Sequence, residues 1–223
     1  MSTTTLDYAL LAGSAYYSTG AEVNRFPIPD GWSEVLSERL ADDRTGFEAR
    51  TFQSGVEIVI SYAGTYDKSG ADIAADVDLF GGRYHAQLLQ AARYYLDIKA
   101  ANPGATISLT GHSLGGGLAA LVGVFFGVNA TTFDQAPFAT SAKWLIEPDV
   151  ATTLLNDLGA LYPATDHGDP LQGLRGFITE RGSANNFIPN AELVRNIAVQ
   201  GEFLSGILSN VLGGRRKSGS DSN

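Results

Sequence analysis

The sequence contains no cysteine among its 223 residues. This absence excludes disulfide bonds, zinc–thiolate sites and a cysteine nucleophile, and it leaves the redox compartment open. The chain also lacks a run of about 20 apolar residues, the length that crosses a bilayer as a helix, so no transmembrane segment is predicted. The first seven residues have no basic segment of the kind that begins a secretory signal. A cytoplasmic location and export by a signal-free route are therefore both open.

Basic residues are scarce relative to acidic ones. Fifteen Lys and Arg stand against 24 Asp and Glu, for a net charge of −9. Such a chain is repelled by phosphate backbones and anionic membranes, so nucleic acid is not a predicted partner. Histidine is rarer still, and only His85, His112 and His167 are present. His85 lies one turn before an apolar helical stripe and is interpreted as a packed, hydrogen-bonded side chain.

The composition is that of one sizeable folded domain, with 44% apolar residues. Two strands are predicted at 47–52 and 56–62, joined by a hairpin turn, and the second is the more apolar. From residue 56 to residue 134 strands alternate with helices, which predicts an α/β fold with a mostly parallel sheet. We expect one domain over residues 1–212 and a disordered polar and basic tail over 213–223.

Other segments carry weaker periodicity. Residues 37–44 are charged and are interpreted as an exposed helix face or a loop. Residues 66–82, rich in Gly and Asp, are either a mobile segment over the site or an ordinary surface loop. The remaining predicted elements are helices at 5–18, 84–101, 148–161 and 202–212 and strands at 32–36, 130–134 and 196–200.

The stretch from Thr106 to Ala120 carries the strongest chemical motif. Its first half alternates apolar and polar residues as a strand does, and its second half has the apolar spacing of a helix. Between them Gly111, Ser113 and Gly115 form G-x-S-x-G, the nucleophile-elbow pattern. A side chain at either glycine would crowd so tight a bend. The alternative is a glycine-rich turn that carries a solvated serine.

A serine nucleophile needs an oxyanion hole and a base oriented by an acid. Ser113 would begin a helix, where backbone N–H groups and the helix dipole stabilise a developing anion. The usual first donor is the N–H of the residue after the nucleophile, here Leu114. The second donor comes from the loop after an earlier strand, and Thr65 follows the strand at 56–62. No cofactor and no metal are predicted.

Two motifs, Ala63-Gly64-Thr65 and the stretch 110–119, resemble the fungal-type (class 3) lipase family of α/β-hydrolases. Phe-Asp-Gln-Ala-Pro-Phe at 133–138 is similar to a bacterial lipase-like branch of that family. The resemblance covers roughly residues 56–138. It implies an α/β-hydrolase fold, lipase or esterase activity on a small or lipid ester, and an oxyanion contact from Thr65. It also places the family's lid at 71–79 and implies transient contact with a lipid interface.

The resemblance further implies that an acid and then a histidine follow the nucleophile along the chain. Glu202 matches the place of the acid, after the strand that follows 131–134. His167 is the one histidine beyond Ser113, and it is either the base or a surface loop residue. Asp134 is the acid that keeps the chain order with His167. His112, beside the nucleophile, is interpreted as structural.

Two functions follow from these residues. The first is a serine carboxyl-ester hydrolase, lipase-like, that acts through an acyl-enzyme on Ser113, with thioesterase or peptidase chemistry as a weaker variant. The second is a catalytically impaired or truncated α/β-hydrolase module that binds a ligand or is completed by a partner segment. The lack of a histidine further downstream motivates the second function.

Overall fold

The structure is a computed structural model that describes residues 3–16, 26–63, 82–142, 149–166, 168–181 and 187–198. Within these ranges the chain forms a single α/β domain. The helices are α1 Thr5–Ser14, α2 Gly82–Ala101, α3 Ser113–Phe126, α4 Ala139–Ala142, α5 Val150–Gly159 and α6 Gln172–Arg181. The strands are β1 Ser33–Glu34, β2 Leu40–Asp42, β3 Phe47–Ser54, β4 Glu57–Ala63, β5 Thr106–His112, β6 Ala130–Phe133 and β7 Val194–Ile197.

These strands form one sheet in the order β1-β3-β4-β5-β6-β7, with β2 also paired to β3. The strands β1, β2 and β4 run antiparallel to β3, whereas β4, β5, β6 and β7 run parallel. The hairpin between β3 and β4 is as predicted, and β4, the more apolar of the two strands, lies inside the sheet. The predicted α/β fold, with helices that connect parallel strands, is confirmed.

Helices cover the sheet on both faces. On one face Ile60 and Leu109 belong to the larger core, which α2, α3, α5 and α6 complete. On the other face Val59 packs with Phe52 of β3 and Leu11 of α1 in a smaller core. Alternate residues of β4 therefore face different helices, and the interior strands β4 and β5 are largely buried on both sides. No helix in the described ranges is long and apolar enough to span a membrane.

The parallel strands bring several chain segments to one edge of the sheet. His112, Phe133 and Ile197, the last residues of β5, β6 and β7, are register partners across the sheet. Neighbouring strands lie about 4.8 Å apart. Ser113 and Asp134 are the next residues after their strands, so their backbones leave the sheet side by side at its carboxyl edge.

A buried ion-pair network anchors the C-terminal end of α1 near this edge. Glu34 of β1 accepts hydrogen bonds from Nε of Arg39 at 2.8 Å and from Nε of Arg50 at 2.7 Å. Arg50 also donates to the carbonyl oxygen of Ser14, the last residue of α1. Burial would raise the pKa of Glu34, but hydrogen bonds and charge from the two guanidinium groups outweigh burial and lower that pKa to about 2. The charged carboxylate thereby holds strand and helix together.

One interpretation made from the sequence is wrong in the described residues, and two helices were not predicted. Residues 37–44 contain the short edge strand β2, whose mostly exposed residues give no apolar alternation. Helices α4 and α6 are present in addition to the predicted helix at 148–161. The buried apolar residues of α6 are Leu174 and Phe177 alone. Glycine occupies position 173 because a side chain there would lie 2.9 Å from a backbone oxygen of α3.

Other predicted elements shift or lie outside the described residues. The last strand is Val194–Ile197 and so begins and ends earlier than the predicted 196–200. Helix α1 ends at Ser14, whereas the prediction ran to residue 18. The predicted helix at 202–212, the tail at 213–223 and nearly all of the segment at 66–82 lie outside the described ranges.

Candidate active site

Ser113 stands at a sharp bend between β5 and α3. The strand ends at His112 and the helix begins at Ser113 itself, with no connecting residue. The φ angle of Ser113 is +53°, in the left-handed region that residues other than glycine rarely adopt. This conformation costs about 1–3 kcal/mol and is maintained only where surrounding contacts determine it. The half-buried hydroxyl is thus presented from a strained turn.

Close packing around the bend explains the two glycines of the motif. A Cβ at Gly111 would lie 2.5 Å from the carbonyl group of Gly115. A Cβ at Gly115 would overlap the carbonyl oxygen of Tyr62 and lie 2.8 Å from the carbonyl carbon of Ala63. The prediction that a side chain at either glycine would crowd the bend is confirmed. The first turn of α3 can begin directly against the end of β4 because position 115 has no side chain.

The loop after β6 closes over the same turn of α3. A Cβ at Gly116 would lie 2.9 Å from Cβ of Gln135, and a Cβ at Gly117 would lie 3.2 Å from the carbonyl oxygen of Ala136. The N–H of Ala136 donates to the carbonyl oxygen of Ser113 at 2.8 Å. The glycine run after Leu114 therefore admits this loop, and the loop in turn fixes the peptide that follows Ser113.

The start of α3 supplies backbone donors beside Ser113. The first four N–H groups of a helix have no partner within it, and they form the positive end of the helix dipole. The N–H of the half-buried Leu114 belongs to this group. Thr65, the predicted second donor, lies outside the described residues. Tyr62 is the register partner of Gly111, so the end of β4 leads the chain toward the elbow.

Both acid candidates follow strands that end at the carboxyl edge. Asp134 has a φ of +41° and donates its N–H to the carbonyl oxygen of Ile197 at 3.0 Å. Its half-buried carboxylate follows β6, the strand beside β5. Glu202 lies outside the described residues, a few positions beyond the end of β7. The structure brings Asp134 next to Ser113 in the sheet and assigns no place to Glu202.

The two described histidines are engaged elsewhere. Nε2 of His85 lies 2.7 Å from Oδ2 of Asp157, which joins α2 to α5, as expected for a hydrogen-bonded histidine. Nδ1 of His112 lies 3.3 Å from the hydroxyl of Tyr16, which follows α1. Within the described part of the chain, neither imidazole is hydrogen-bonded to Ser113.

His167 lies outside the described residues, and only its neighbours can be placed. Asp169 lines a cavity of about 440 Å³ together with Phe126 and Gly127. These last two residues mark the C-terminal end of α3, whereas Ser113 begins that helix. A 14-residue helix is about 20 Å long. The neighbours of His167 therefore give its assignment as the base no support.

Sequence reasoning missed several residues that shape the site. Tyr16 contacts His112 across 96 positions of the chain, and no local pattern reveals such a contact. Gln135 accepts a hydrogen bond from Thr132, and its N–H donates to Oδ1 of Asn196 at 3.4 Å. Gln135 does lie within the motif at 133–138, so its position after a strand end was the one available signal.

Residues 7–142 match the model of a phospholipase-like family, the Tle-like phospholipase domain. The match spans more than half of the 223 residues. The chain belongs to this family. It is thus a lipase- and phospholipase-like hydrolase domain, as the motif resemblance predicted. The family match includes most of α1, the elbow and the loop after β6, and it ends before His167 and Glu202.

An extracellular phospholipase A1 of Serratia liquefaciens is 30% identical over 158 residues, which make up 68% of this chain and 45% of that protein. The chain therefore spans less than half of that relative's length. A lipase of Rhizopus microsporus var. chinensis is a structural neighbour at 16% identity and a TM-score of 0.43, over 58% of this chain and 56% of that one. The Rhizomucor miehei lipase propeptide complex has 16% identity, a TM-score of 0.42 and coverage of 68% and 56%. The fold assignment depends on the strand order described above, not on these neighbours.

Proposed function

We propose that this chain is a phospholipid carboxyl-ester hydrolase in which Ser113 is the nucleophile. The hydroxyl attacks the ester carbonyl, the alcohol leaves, and water hydrolyses the resulting acyl-enzyme. One observation carries the proposal. Ser113 has a φ of +53° and stands between the buried strand β5 and helix α3, which packs against the end of β4 at Gly115, where it has no side chain. The family match and the relative named phospholipase A1 favour a phospholipid as the substrate.

In this proposal the oxyanion accepts hydrogen bonds from the N–H groups of Leu114 and Thr65. The helix start at Ser113 supports the role of Leu114, because the free N–H groups and the dipole of α3 favour negative charge there. The position of β4 beside β5 supports the role of Thr65. One lost donor of this kind typically lowers kcat by about a hundred- to a thousandfold.

By chain order alone, as the one histidine beyond Ser113, His167 is proposed as the base, with Asp134 or Glu202 as the acid that orients it. Asp134 has the stronger support, because it leaves the sheet beside Ser113. Glu202 has the support of chain position alone.

The test is hydrolysis of a phosphatidylcholine with different acyl chains at sn-1 and sn-2, with the released fatty acids identified by mass spectrometry. We expect release of the sn-1 chain and a loss of at least about a thousandfold in Ser113→Ala. Ser33→Ala, the same substitution on β1, should keep full activity. Release of the sn-2 chain would reject the A1 position. Undiminished hydrolysis in folded Ser113→Ala would reject the nucleophile.

A second function, a non-catalytic or partner-completed module, is favoured by one observation. Neither His85 nor His112 is hydrogen-bonded to Ser113 in the described part of the chain. The two functions predict different results for His167→Ala. If hydrolysis falls sharply while the circular dichroism spectrum is unchanged, His167 is the base and the module hypothesis fails. If the parent chain hydrolyses no ester, the module hypothesis stands.

A further inference from the structure

His112, the residue before Ser113, is hydrogen-bonded to the side chain of Tyr16, which follows α1. The hydroxyl of Tyr16 lies 3.1 Å from the carbonyl oxygen of His112 and 3.3 Å from its Nδ1. The two rings also meet edge to face, with 6.2 Å between centroids and 65° between planes. A single tyrosine thus binds both the backbone and the side chain of the residue before Ser113.

The proton count at this contact assigns a direction to each hydrogen bond. A neutral phenol has one proton, which Tyr16 donates to the carbonyl oxygen of His112. Its oxygen then accepts from the N–H at Nδ1 of the imidazole. This arrangement requires a proton on Nδ1 of His112.

Each of the two peptide groups that flank Ser113 accepts a hydrogen bond from a group outside β5 and α3. The preceding carbonyl, that of His112, accepts from Tyr16, and the carbonyl of Ser113 accepts from the N–H of Ala136 at 2.8 Å. Rotation about φ of Ser113 turns these two peptide planes relative to each other. Because both planes are held, the strained angle of +53° cannot relax without breaking one of these bonds.

We propose that Tyr16 is a positioning residue that holds Ser113 in its strained, reactive orientation through the carbonyl of His112. The proposal rests on the proposed function, because positioning matters for catalysis only if Ser113 is the nucleophile. Tyr16 itself touches neither the reacting atoms nor a substrate in this account. Its hydroxyl should therefore affect the rate at which Ser113 reacts more than the affinity of the chain for the compound that reacts with Ser113.

The chain offers a matched control in α1, the helix that precedes Tyr16. The hydroxyl of Tyr8 in α1 donates to Oγ of Ser108 in β5 at 2.9 Å. Tyr8→Phe and Tyr16→Phe thus each remove one phenol hydroxyl that joins the α1 region to β5. Only the second variant removes a hydrogen bond next to Ser113, so a purely structural role predicts similar results for the two.

The first measurement is the kinetics of reaction with a fluorophosphonate, which give the maximal inactivation rate kinact and the half-saturating concentration KI. We expect Tyr16→Phe to lower kinact by about three- to tenfold, the rate equivalent of one hydrogen bond, with KI unchanged. Tyr8→Phe should leave both constants unchanged. Equal kinact values for the two variants, or an effect confined to KI, would overturn the proposal.

The second measurement does not depend on activity. His112–Ser113 is the one His–Ser pair in the sequence, so carbonyl-¹³C histidine combined with ¹⁵N serine marks that single peptide bond for NMR. We expect the marked ¹³C and ¹⁵N resonances to shift in Tyr16→Phe and to stay in place in Tyr8→Phe. Resonances that stay in place in both variants would overturn the proposal. If the parent chain does not react with the fluorophosphonate, the proposed function fails, and the NMR result still decides whether Tyr16 holds this peptide.

Discussion

Three consecutive glycines follow Leu114, and each lies against a different neighbour. Gly115 meets the end of β4, Gly116 meets Gln135, and Gly117 meets Ala136. The G-x-S-x-G pattern could predict the need for Gly115, because the motif specifies that position. It could not predict the other two contacts, since they come from a loop distant in sequence and depend on how the strands pair.

Replacing Gly115 by alanine tests this packing. We expect Gly115→Ala to lower the free energy of unfolding by about 3 kcal/mol, because the new methyl group overlaps backbone atoms that cannot move away cheaply. The matched control is Gly176→Ala in α6, where a new Cβ meets nothing within 4 Å. That variant should be neutral or more stable by up to about 1 kcal/mol. Urea unfolding measures both, and similar values for the two would contradict the packing around the elbow.

Helix α1 shows how an element far along the chain can support the candidate site. Its start was predictable, and the structure shows a capping box in which Thr4 and Asp7 bond to each other's backbone N–H groups. Its C-terminal anchor was not predictable, because Glu34 and Arg50 are brought together only by the pairing of β1 with β3. Tyr16 follows this anchored end, so the ion pair indirectly supports the residue that contacts His112.

Glu34→Gln tests the anchor and its pH dependence. Because the pKa of Glu34 in the folded chain is about 2, below its ordinary 4.5, its contribution is complete above about pH 4.5. It is lost as the pH falls toward 2. We expect the variant to lower the free energy of unfolding at pH 7 by about 3 kcal/mol, since it leaves a buried guanidinium without its anion. Its unfolding should also depend less on pH between 4.5 and 2.

Urea unfolding at a series of pH values provides this measurement, and the exposed Glu192→Gln is the control. The control should follow the curve of the parent chain throughout. A Glu34→Gln curve that coincides with the control would show that the network does not stabilise the fold.

The whole sheet is the part of the molecule that the sequence predicted best. Alternating strands and helices implied parallel strands, and parallel strands have their carboxyl ends at a common edge, where Ser113 and Asp134 lie. Three elements were missed: β2 is a short exposed edge strand, α4 is only four residues long, and α6 has a thin apolar stripe because glycine lets it approach α3 closely. Of the predicted site, Ser113, Leu114 and Asp134 can be placed, whereas Thr65, His167 and Glu202 lie outside the described residues.

The central claim is that the bend between β5 and α3 presents a reactive serine. The most direct measurement is incubation of the folded chain with a fluorophosphonate, followed by mass mapping of its peptides. We predict one adduct, on the peptide that contains Ser113, that is present in Ser33→Ala and absent from Ser113→Ala. An adduct on another residue, an adduct that persists in Ser113→Ala, or no adduct at all on the folded chain would contradict the account.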